Sequence, residues 1–427
     1  MHENPVIAAL LNGLNNPSLP GVDLSLVRMR ELMKTLGNPE NKIPPVIHLA
    51  GTNGKGSALA FLRSVYEVAG YRVHAYISPH LVQFNERIII AGQQVSDAYL
   101  QQLLERVNDA AKTIPVTFFE ATTAAAFLAF AEHSADVVLL ETGMGGRLDA
   151  TNIVAKPIAT IITPIDYDHM EFLGVTLAEI AGEKAGIMKA GAPCFAGAQK
   201  PEAREVLKRA VRKVDCDLAL HDFDWNFEVV QSGLRVRSGS KMWDVPLPSL
   251  VGVHQFHNAA LASVVAHALP QLPVTVEHIA KGITTTTWPA RLQKLERGPL
   301  VNTWGARGNV MLDGGHNPSA AAILQAWMRE QLSPITLIIG MMKRKDAHGF
   351  LQPLAPHISS VIAVPIEGNE SYEPAELAAV AQALGVAHVY AASSLADAEQ
   401  LFPPAANGTL LIAGSLFLAG QVLKNHG

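Results

Sequence analysis

The sequence predicts two α/β domains, and three observations lead to this fold class. Short β-branched runs alternate with helical patterns over most of the 427 residues, which is typical of βαβ units and a mostly parallel sheet. Between residues 222 and 247 the pattern changes to an apolar and polar alternation, which indicates a small antiparallel sheet. The strand and helix alternation then restarts, and the chain is longer than one core usually organises.

The first domain is predicted to span residues 1–287 and to begin with the strand 45–50. A Gly-rich loop and a helix ending at Gly70 follow this strand. Further buried strands are expected at residues 73–77, 136–140 and 158–162. Phe223, Trp225, Phe227 and Val229 alternate with polar residues, so we expect hairpin strands there. A helix is predicted around residues 256–268.

The second domain is predicted to span residues 288–427. The boundary lies in "GITTTTWPARLQ", residues 282–293, because this stretch has weak periodicity and contains a proline. About 140 residues remain after it, which is a usual size for an α/β domain. Five strands are expected in this domain, with the sequences "NVMLD", "ITLIIG", "SVIAVPI", "HVYAA" and "TLLIAG".

Composition excludes several classes of protein. The formal net charge of −5 and the lack of a Lys/Arg-dense run argue against a nucleic acid partner. Cys194 and Cys216 are too few for a disulfide framework and lack the spacing of a zinc site. The stretch "TLLIAGSLFLAGQVL" is shorter than a bilayer span and predicts a buried strand running into a helix. With no secretory signal in the N-terminal segment, we expect a cytoplasmic monomer that binds small molecules and no membrane.

The segment "HLAGTNGKGS", residues 48–57, nearly matches a phosphate-binding loop. Two residues rather than four separate Gly51 from Gly54, and Gly56 stands between Lys55 and Ser57. The loop leaves a buried strand and opens a helix, so backbone N–H groups and the helix dipole favour an anion there. An ordinary Gly-rich turn is the alternative, but the lysine and the serine together favour a phosphate site with Mg²⁺.

Acidic residues follow two other predicted strands. Glu141 ends "DVVLLE", and Asp166, Asp168 and His169 follow the next strand in "TPIDYDHMEFLG". Open α/β sheets bind ligands at the carboxyl ends of their strands, and an acid at this edge holds or orients Mg²⁺ in phosphate-loop enzymes. Taken alone, such an acid is a solvated strand end and such a histidine is structural.

The segment "TLAEIAGEKAGIMK" predicts a helix that starts with a capping box formed by Thr176 and Glu179. Leu177, Ile180 and Lys184 fall on one face, so the lysine lies on the apolar side. One interpretation is a buried stem with an amine that reaches solvent. The other is a desolvated amine with a lowered pKa that reacts with CO₂ to give an anionic carbamate. The residue pattern alone favours the first.

Several motifs in order resemble the folylpolyglutamate synthase and dihydrofolate synthase family, relatives of the Mur ligases. They are "HLAGTNGKGS", "SPHLVQFNERI", "ETGMGGRLDATN", "DHMEFLG", "GEKAGIMK", "HNAALA", "WPARLQ" and "LDGGHNP". The resemblance implies a phosphate-loop domain with a mostly parallel sheet and a smaller Rossmann-like C-terminal domain. It also implies that ATP phosphorylates a substrate carboxylate and that L-glutamate attacks the acyl phosphate to form an amide.

The resemblance assigns roles in ATP and metal binding to residues of both domains. It implies a triphosphate cradle at Gly54, Lys55, Gly56 and Ser57, with nucleotide contacts at Asn258, Arg291 and Asp313. It implies two Mg²⁺ sites with ligands at Ser57, Ser78, Glu141, His169 and Lys184. Lys184 matches the lysine that is carbamylated in the family, which favours the carbamate. Lys55, Lys184 and His316 are the implied catalytic residues.

The substrate side of the resemblance is less complete. The implied substrate residues are Asp23, Leu24, Phe119, Glu120, Ala121, Thr122, Leu148, Asp149, Ala150 and Ser415. Ser25 replaces a glycine of the family pattern, Ala121 and Thr122 depart from "FEYGT", and Ala290 stands where glycine is common. His316 or Ser415 could instead be a loop residue that supports the interface between the domains.

Other functions share parts of this pattern. A folylpolyglutamate synthase without the dihydrofolate synthase activity keeps the same chemistry. A Mur-type cell-wall ligase ordinarily carries a further N-terminal domain, whereas about 45 residues precede the loop here. A phosphate-loop regulatory module or a kinase leaves Lys184, Arg291, Asp313 and His316 unexplained. We therefore expect an amide-forming ligase with both activities.

Overall fold

The computed structural model describes residues 4–14, 25–402 and 408–426. The chain forms two compact units. Residues 1–249 and 255–286 form unit 1, and residues 250–254 and 287–427 form unit 2. The division into an ATP-binding domain, residues 1–287, and a glutamate-ligase domain, residues 288–427, stays a prediction.

Unit 1 is built on a mostly parallel sheet that has eight strands over the described residues, in the order β4-β3-β2-β5-β1-β6-β7-β8. The central strands are parallel, whereas β3 pairs antiparallel with β2 and β4. Its strands are β1 (Val46–Ala50), β2 (Val73–Tyr76), β3 (Ile88–Ile90), β4 (Gln93–Gln94), β5 (Val137–Glu141), β6 (Ala159–Ile162), β7 (Cys194–Ala196) and β8 (Leu218–Leu220).

Helices cover the sheet of unit 1 and bury its apolar side chains. One cluster joins the helices before and after β4 to Val46 and Val138 of the sheet, and another joins Ile180 and Leu207 to the strands β6 and β7. The helices of this unit are α1 (Pro5–Gly13), α2 (Val27–Thr35), α3 (Lys55–Val68), α4 (Asp97–Ala110), α5 (Phe118–Glu132), α6 (Met170–Leu173), α7 (Leu177–Ala185), α8 (Pro201–Val214), α9 (Val253–Ala268) and α10 (Val276–Thr285).

A small antiparallel sheet follows β8, as the sequence predicts. It consists of β9 (Trp225–Val230), β10 (Gly233–Ser238) and β11 (Lys241–Val245). The alternation expected within β9 is wrong in part. Trp225 is buried, but Phe223 lies in the preceding turn and is 58% exposed, and Val229 is 59% exposed. The buried face of this sheet is formed mainly by Leu234 and Val236 of β10 and by Trp243 and Val245 of β11, with Trp225 as the buried residue of β9.

Unit 2 contains a second sheet, which has six strands among the described residues in the order β12-β13-β17-β14-β15-β16. Five of them are the predicted parallel strands, and β12 adds an antiparallel edge. The strands are β12 (Gln293–Leu295), β13 (Val310–Leu312), β14 (Ile335–Ile339), β15 (Ser360–Ala363), β16 (His388–Ala391) and β17 (Thr409–Ala413). The helices are α11 (Pro299–Trp304), α12 (Pro318–Arg329), α13 (Ala347–Leu351), α14 (Pro374–Ala383), α15 (Leu395–Gln400) and α16 (Leu416–His426).

The boundary stretch, residues 282–293, and the apolar C-terminal stretch can also be compared with the structure. The stretch chosen for the boundary starts inside α10, because residues 282–285 are helical and Gly282 packs its backbone against Val65. The apolar C-terminal stretch forms β17 and α16, as expected. Among the described helices none is long and apolar enough to cross a membrane.

Candidate functional site

The Gly-rich loop connects β1 to α3 as the sequence predicts. Gly54 precedes the helix with a φ of 89°, a backbone conformation that favours glycine. The backbone amides of Thr52 and Asn53 donate to the carbonyl oxygen of Pro164, which follows β6. The loop is therefore tied to the carboxyl end of a neighbouring strand.

Glycine is required at two positions of the loop because side chains from other elements come close. A Cβ atom at Gly51 would lie 1.8 Å from Thr163 Oγ1, and one at Gly54 would lie 2.6 Å from Asn258 Oδ1. Contacts this short are excluded by steric overlap. The close approach of α9 to the loop thus explains one glycine, and the end of β6 explains the other.

Two lysine side chains meet at one backbone carbonyl of the loop. Lys55 Nζ donates to the Gly51 oxygen at 3.2 Å, and Lys184 Nζ donates to the same oxygen at 2.9 Å. Lys184 is only 4% exposed, so the prediction that it faces inward is confirmed and its amine does not reach solvent. Burial, with a further contribution from the charge of Lys55, lowers the pKa of Lys184 to about 7.

The helix that carries Lys184 begins as predicted. The Thr176 hydroxyl accepts from the Glu179 amide at 3.2 Å, and Glu179 Oε2 accepts from the Thr176 amide at 2.9 Å. Leu177 and Ile180 are buried on the same face as Lys184. Packing of this amphipathic face is therefore what draws the amine into the protein.

Glu141 lies at the carboxyl end of β5 and is 5% exposed. Its Oε2 accepts from the Ser78 amide at 3.2 Å, and its Oε1 lies 3.9 Å from Lys55 Nζ. The structure thus brings together three residues that the sequence assigned to phosphate and metal binding. Ser57, in the first turn of α3, is 2% exposed.

His169 precedes α6 with a φ of 51°, which is uncommon for a residue other than glycine. Its amide donates to Asp168 Oδ1 at 2.9 Å, and its Nε2 lies 3.9 Å from Asp168 Oδ2. Asp166 and Thr52 exchange hydrogen bonds, so this segment is also tied to the loop. His169 therefore lies at the same edge of the sheet as the loop.

The oxygen ligands fit a hydrated cation better than a closed metal cage. Within the described residues no group of three or more His, Cys, Asp or Glu side chains is arranged to hold a metal ion. Glu141 offers a carboxylate, Ser57 and Ser78 offer hydroxyls, and His169 offers an imidazole. Mg²⁺ usually keeps several waters and takes one or two carboxylates together with substrate phosphates, so this donor set is compatible with it.

Sequence reasoning missed Gln255 in the first turn of α9. This side chain is fully buried, its Nε2 donates to Ser57 Oγ at 3.3 Å, and its Oε1 accepts from Asn258 Nδ2 at 3.0 Å. It therefore connects the hydroxyl and the amide that the sequence assigned to metal and nucleotide. The spacing of Gln255 and Asn258, three residues apart on a largely apolar helix, was the signal that could have found it.

Asp149 shapes the loop after β5. Its Oδ1 accepts from the Thr151 amide and hydroxyl at 3.0 and 2.5 Å, and its Oδ2 accepts from the Met144 amide at 2.8 Å. Because the Thr151 hydroxyl donates to Asp149, it accepts from His48 Nε2, 2.8 Å away. Burial lowers the pKa of His48 to about 3. His48 of β1 is therefore neutral, and its hydrogen bond to Thr151 helps to hold this loop.

The segment at the start of α5 was predicted to bind substrate. Ala121 and Thr122 are fully buried, and Ala121 belongs to the core cluster. Glu120 closes the capping box of the helix, with Thr117, and pairs with Arg28 at 3.2 Å. Phe119 is half-buried, and its ring packs against Gly143. The substrate roles of these residues stay predictions.

The remaining predicted substrate positions are Leu148 and Ala150, together with Asp23 and Leu24. Leu148 is half-buried and Ala150 is buried within the core cluster. Asp23 and Leu24 lie outside the described residues.

In unit 2, Asp313 follows β13 and is 7% exposed. Its Oδ2 accepts from the Leu292 amide at 2.9 Å, and its Oδ1 accepts from the Gly315 amide at 2.7 Å. Burial raises its pKa, and the nearby charge of Arg291 opposes that shift. Ala290 has a φ of 55° and lies next to Arg291, so the position where the family favours glycine adopts a left-handed conformation here.

His316 and Ser415 lie at neighbouring strand ends of unit 2. His316 Nδ1 is 3.3 Å from the Gly314 oxygen, and the Gly414 amide donates to the Gly315 oxygen at 3.0 Å. Ser415 is buried, and its hydroxyl accepts from the Phe417 amide at 3.1 Å, as a helix cap does. The structure brings the two segments together and gives Ser415 a capping role.

Two domain families match this sequence. The Mur ligase middle domain matches residues 49–266, and the C-terminal domain of dihydrofolate synthetase matches residues 299–425. The dihydrofolate synthase/folylpolyglutamate synthase of Bacillus subtilis is 38% identical over 351 residues, which cover 78% of this chain and 79% of that protein. The chain belongs to the dihydrofolate synthase/folylpolyglutamate synthase family of Mur-type ligases.

Solved structures agree with this family. Escherichia coli FolC in complex with DHPP and ADP superposes with a TM-score of 0.88 and 30% identity, covering 98% of this chain and 97% of that one. The bifunctional enzyme of Yersinia pestis complexed with AMPPNP and Mn ion gives a TM-score of 0.86 and 29% identity, covering 99% and 98%. The predicted fold class, two α/β domains with a small antiparallel sheet, is confirmed.

Proposed function

We propose that this ligase joins L-glutamate to the carboxylate of a pterin or folate substrate at the expense of ATP, with both synthase activities in one chain. The observation that carries the proposal is the meeting of the Lys55 and Lys184 amines at the Gly51 oxygen, beside Glu141. The proposal is supported by two relatives of similar fold, one solved in complex with DHPP and ADP and the other with AMPPNP and Mn ion. The loop Gly54–Ser57 is the cradle we assign to the triphosphate.

Amide formation needs an activated carboxylate, since a carboxylate alone is a poor acyl donor. A substrate oxygen attacks the terminal phosphorus of ATP, and ADP leaves. The amine of L-glutamate then attacks the acyl carbon, phosphate leaves, and the amine proton passes to solvent. Lys55 neutralises charge on the transferring phosphoryl group, and the loop amides orient it. No protein nucleophile is required.

The metal supports this transfer through residues of unit 1. A divalent ion at this position would supply charge neutralisation for the phosphate oxygens. Ser57 is the ligand we assign to one position, and Ser78, Glu141 and His169 are assigned to the other. The Ser78 amide holds Glu141 Oε2 at 3.2 Å, so the carboxylate is oriented before an ion arrives.

Lys184 is proposed to act as a carbamate. Its lowered pKa leaves a large fraction of the amine unprotonated near neutral pH. The Nζ lone pair then bonds to the carbon of CO₂, one C–O π bond opens to a carboxylate oxygen, and one proton leaves to water. The product keeps one N–H, which can still donate to the Gly51 oxygen, and its negative charge lies close to Lys55. The carbamate would serve the second metal position.

Asn258, Arg291 and Asp313 are the residues we assign to the nucleotide, and His316 to the reacting groups. Asn258 Oδ1 lies against Gly54, which puts an acceptor next to the cradle. Phe119, Leu148 and Ser415 are assigned to the substrate, and the Ser415 hydroxyl also caps a helix. A monomeric state and a cytoplasmic location stay predictions.

The test is an assay of ADP release with L-glutamate, run separately with dihydropteroate and with tetrahydrofolate. We expect turnover with both substrates and none without glutamate. Turnover with tetrahydrofolate alone would reduce the function to a folylpolyglutamate synthase. ADP release at a rate that does not depend on L-glutamate would indicate a regulatory module and overturn the ligase assignment.

A further inference from the structure

Gln255 has no role in the function described so far, although it is fully buried and lies between two residues assigned to cofactor binding. A buried amide must use its donors and its acceptor, because an unsatisfied polar group costs stability. Gln255 directs these groups to Ser57 on α3 and to Asn258 on its own helix. An apolar side chain would fill the same space without that requirement.

The direction of the hydrogen bonds determines what each neighbour can offer. Gln255 Nε2 donates to Ser57 Oγ, so one lone pair of the hydroxyl is used and another stays available to a cation. Asn258 Nδ2 donates to Gln255 Oε1, which turns Asn258 Oδ1 toward the loop. In agreement, Oδ1 is the Asn258 atom nearest to a Cβ built on Gly54, at 2.6 Å.

We propose that Gln255 is a positioning residue of the ATP site, which fixes the hydroxyl of Ser57 for the metal and the amide of Asn258 for the nucleotide. This inference rests on the proposed function, because it assigns the metal to Ser57 and the nucleotide to Asn258. It adds a residue that acts through both and touches neither ligand. The three side chains form one buried hydrogen-bonded row in unit 1.

Binding measurements separate this role from a structural one. ADP affinity is measured in the presence of EDTA, which removes metal ions. Mn²⁺ affinity is measured in the presence of AMPPNP, from the electron paramagnetic resonance signal of free Mn²⁺. Gln255→Met removes the hydrogen bonds to Ser57 and to Asn258 at similar side-chain volume. We expect about tenfold weaker ADP binding and about tenfold weaker Mn²⁺ binding, since each arm loses one buried hydrogen bond.

A double-mutant cycle shows whether Gln255 acts through its neighbours. In an Asn258→Ala background, Gln255→Met is expected to change ADP affinity by less than about twofold, and in a Ser57→Ala background it is expected to change Mn²⁺ affinity as little. Additive losses in both backgrounds would overturn the proposal. Gln255→Glu keeps the acceptor for Asn258, so it should restore ADP affinity to within about twofold of the parent chain.

Gln325→Met is the matched control, because Gln325 of α12 is partly buried and donates to the Pro353 oxygen in unit 2. It should leave both affinities unchanged. If Gln255→Met does not fold, Gln255→Glu carries the test: ADP affinity must stay near the parent value while Mn²⁺ affinity changes only when Ser57 is present. Absence of AMPPNP binding by the parent chain would refute the proposed function, whereas equal binding by parent and variant refutes only the role of Gln255.

Discussion

The strand ends of the two units use polar residues in different ways. In unit 1, Lys55 and Lys184 approach one carbonyl oxygen and Glu141 lies within 3.9 Å of Lys55, so charges are concentrated at a half-buried loop. In unit 2, both carboxylate oxygens of Asp313 accept backbone amides, and the Ser415 hydroxyl caps a helix. Unit 1 therefore concentrates charged groups at one loop, whereas Asp313 and Ser415 of unit 2 each hold backbone amides of their own unit.

Lys184→Ala is the substitution with the largest expected effect, and it tests whether the charged groups of unit 1 serve catalysis. Loss of an oriented charge in a buried phosphate site should lower kcat by about 10² to 10³, as the loss of one preorganised electrostatic group does. The measurement is ADP release at saturating ATP and glutamate. A short-chain carboxylic acid should restore part of the activity by replacing the carbamate.

The control for Lys184→Ala is Lys189→Ala, which removes a half-buried lysine a little further along the same segment. Lys189 donates to Asn152 Oδ1 at 2.6 Å and is not assigned to the site. Its kcat should stay within a few-fold of the parent value. Activity near the parent level in Lys184→Ala would remove the carbamate role.

The pH dependence of stability examines the same lysine without catalysis. A folded pKa of about 7, against the ordinary 10.5, means that the unfolded chain binds more protons between these values. The contribution of Lys184 to the free energy of unfolding therefore rises with pH from about 7 to about 10.5. Below this window the buried amine costs on the order of 5 kcal/mol.

Lys184→Met removes that cost. In buffer free of CO₂, the variant should unfold at higher urea than the parent at pH 7, and the difference should shrink as the pH approaches 10. A difference that does not depend on pH would show that the amine keeps its ordinary pKa in the folded chain.

Asp313→Asn perturbs unit 2 by a smaller amount. An asparagine accepts only one of the two amides, so its own N–H₂ group would face the amide of Leu292 or Gly315. We expect a loss of about 1–3 kcal/mol, the cost of leaving a buried donor unsatisfied, seen as a lower urea midpoint. An unchanged midpoint would mean that the carboxylate serves ligand binding rather than the loop.

Ser415→Ala should have the smallest effect. Removing a helix cap costs about 1 kcal/mol, and kcat should stay within about twofold because the hydroxyl is engaged by the Phe417 amide. The steady-state KM for glutamate decides between the two roles. A large rise in KM at unchanged stability would assign Ser415 to the substrate.

Sequence patterns were sufficient where local periodicity determines structure. The four central strands of the first sheet, the five parallel strands of the second, the capping box at Thr176 and the inward face of Lys184 follow from short-range patterns. The short strands β3, β4, β7 and β8 at the two sides of the first sheet were not predicted. The meeting of Lys55 and Lys184 at one oxygen could not be predicted, because it depends on contacts between residues more than a hundred positions apart. The three-residue strand β12 was missed because it is too short to show an alternation.

Polar side chains were harder to interpret than apolar ones. Asp149 and Glu120 were expected to bind substrate, yet each also makes hydrogen bonds that hold its own loop or helix start. Gln255 was overlooked, although it contacts two residues that the sequence had identified. A polar residue type narrows the chemistry, but the direction of its hydrogen bonds appears only in the folded chain.

The short segment 250–254 groups with unit 2, although unit 1 precedes and follows it in the chain. The polypeptide therefore passes between the units three times, after residues 249, 254 and 286. A protease that cuts after residue 249 or 254 leaves a fragment that contains parts of both units, whereas a cut after residue 286 separates residues 287–427 from all of unit 1. A chain that ends at residue 286 would keep residues 250–254 without the rest of unit 2, and a chain that begins at residue 287 would lack them. Neither unit is therefore one uninterrupted stretch of the sequence.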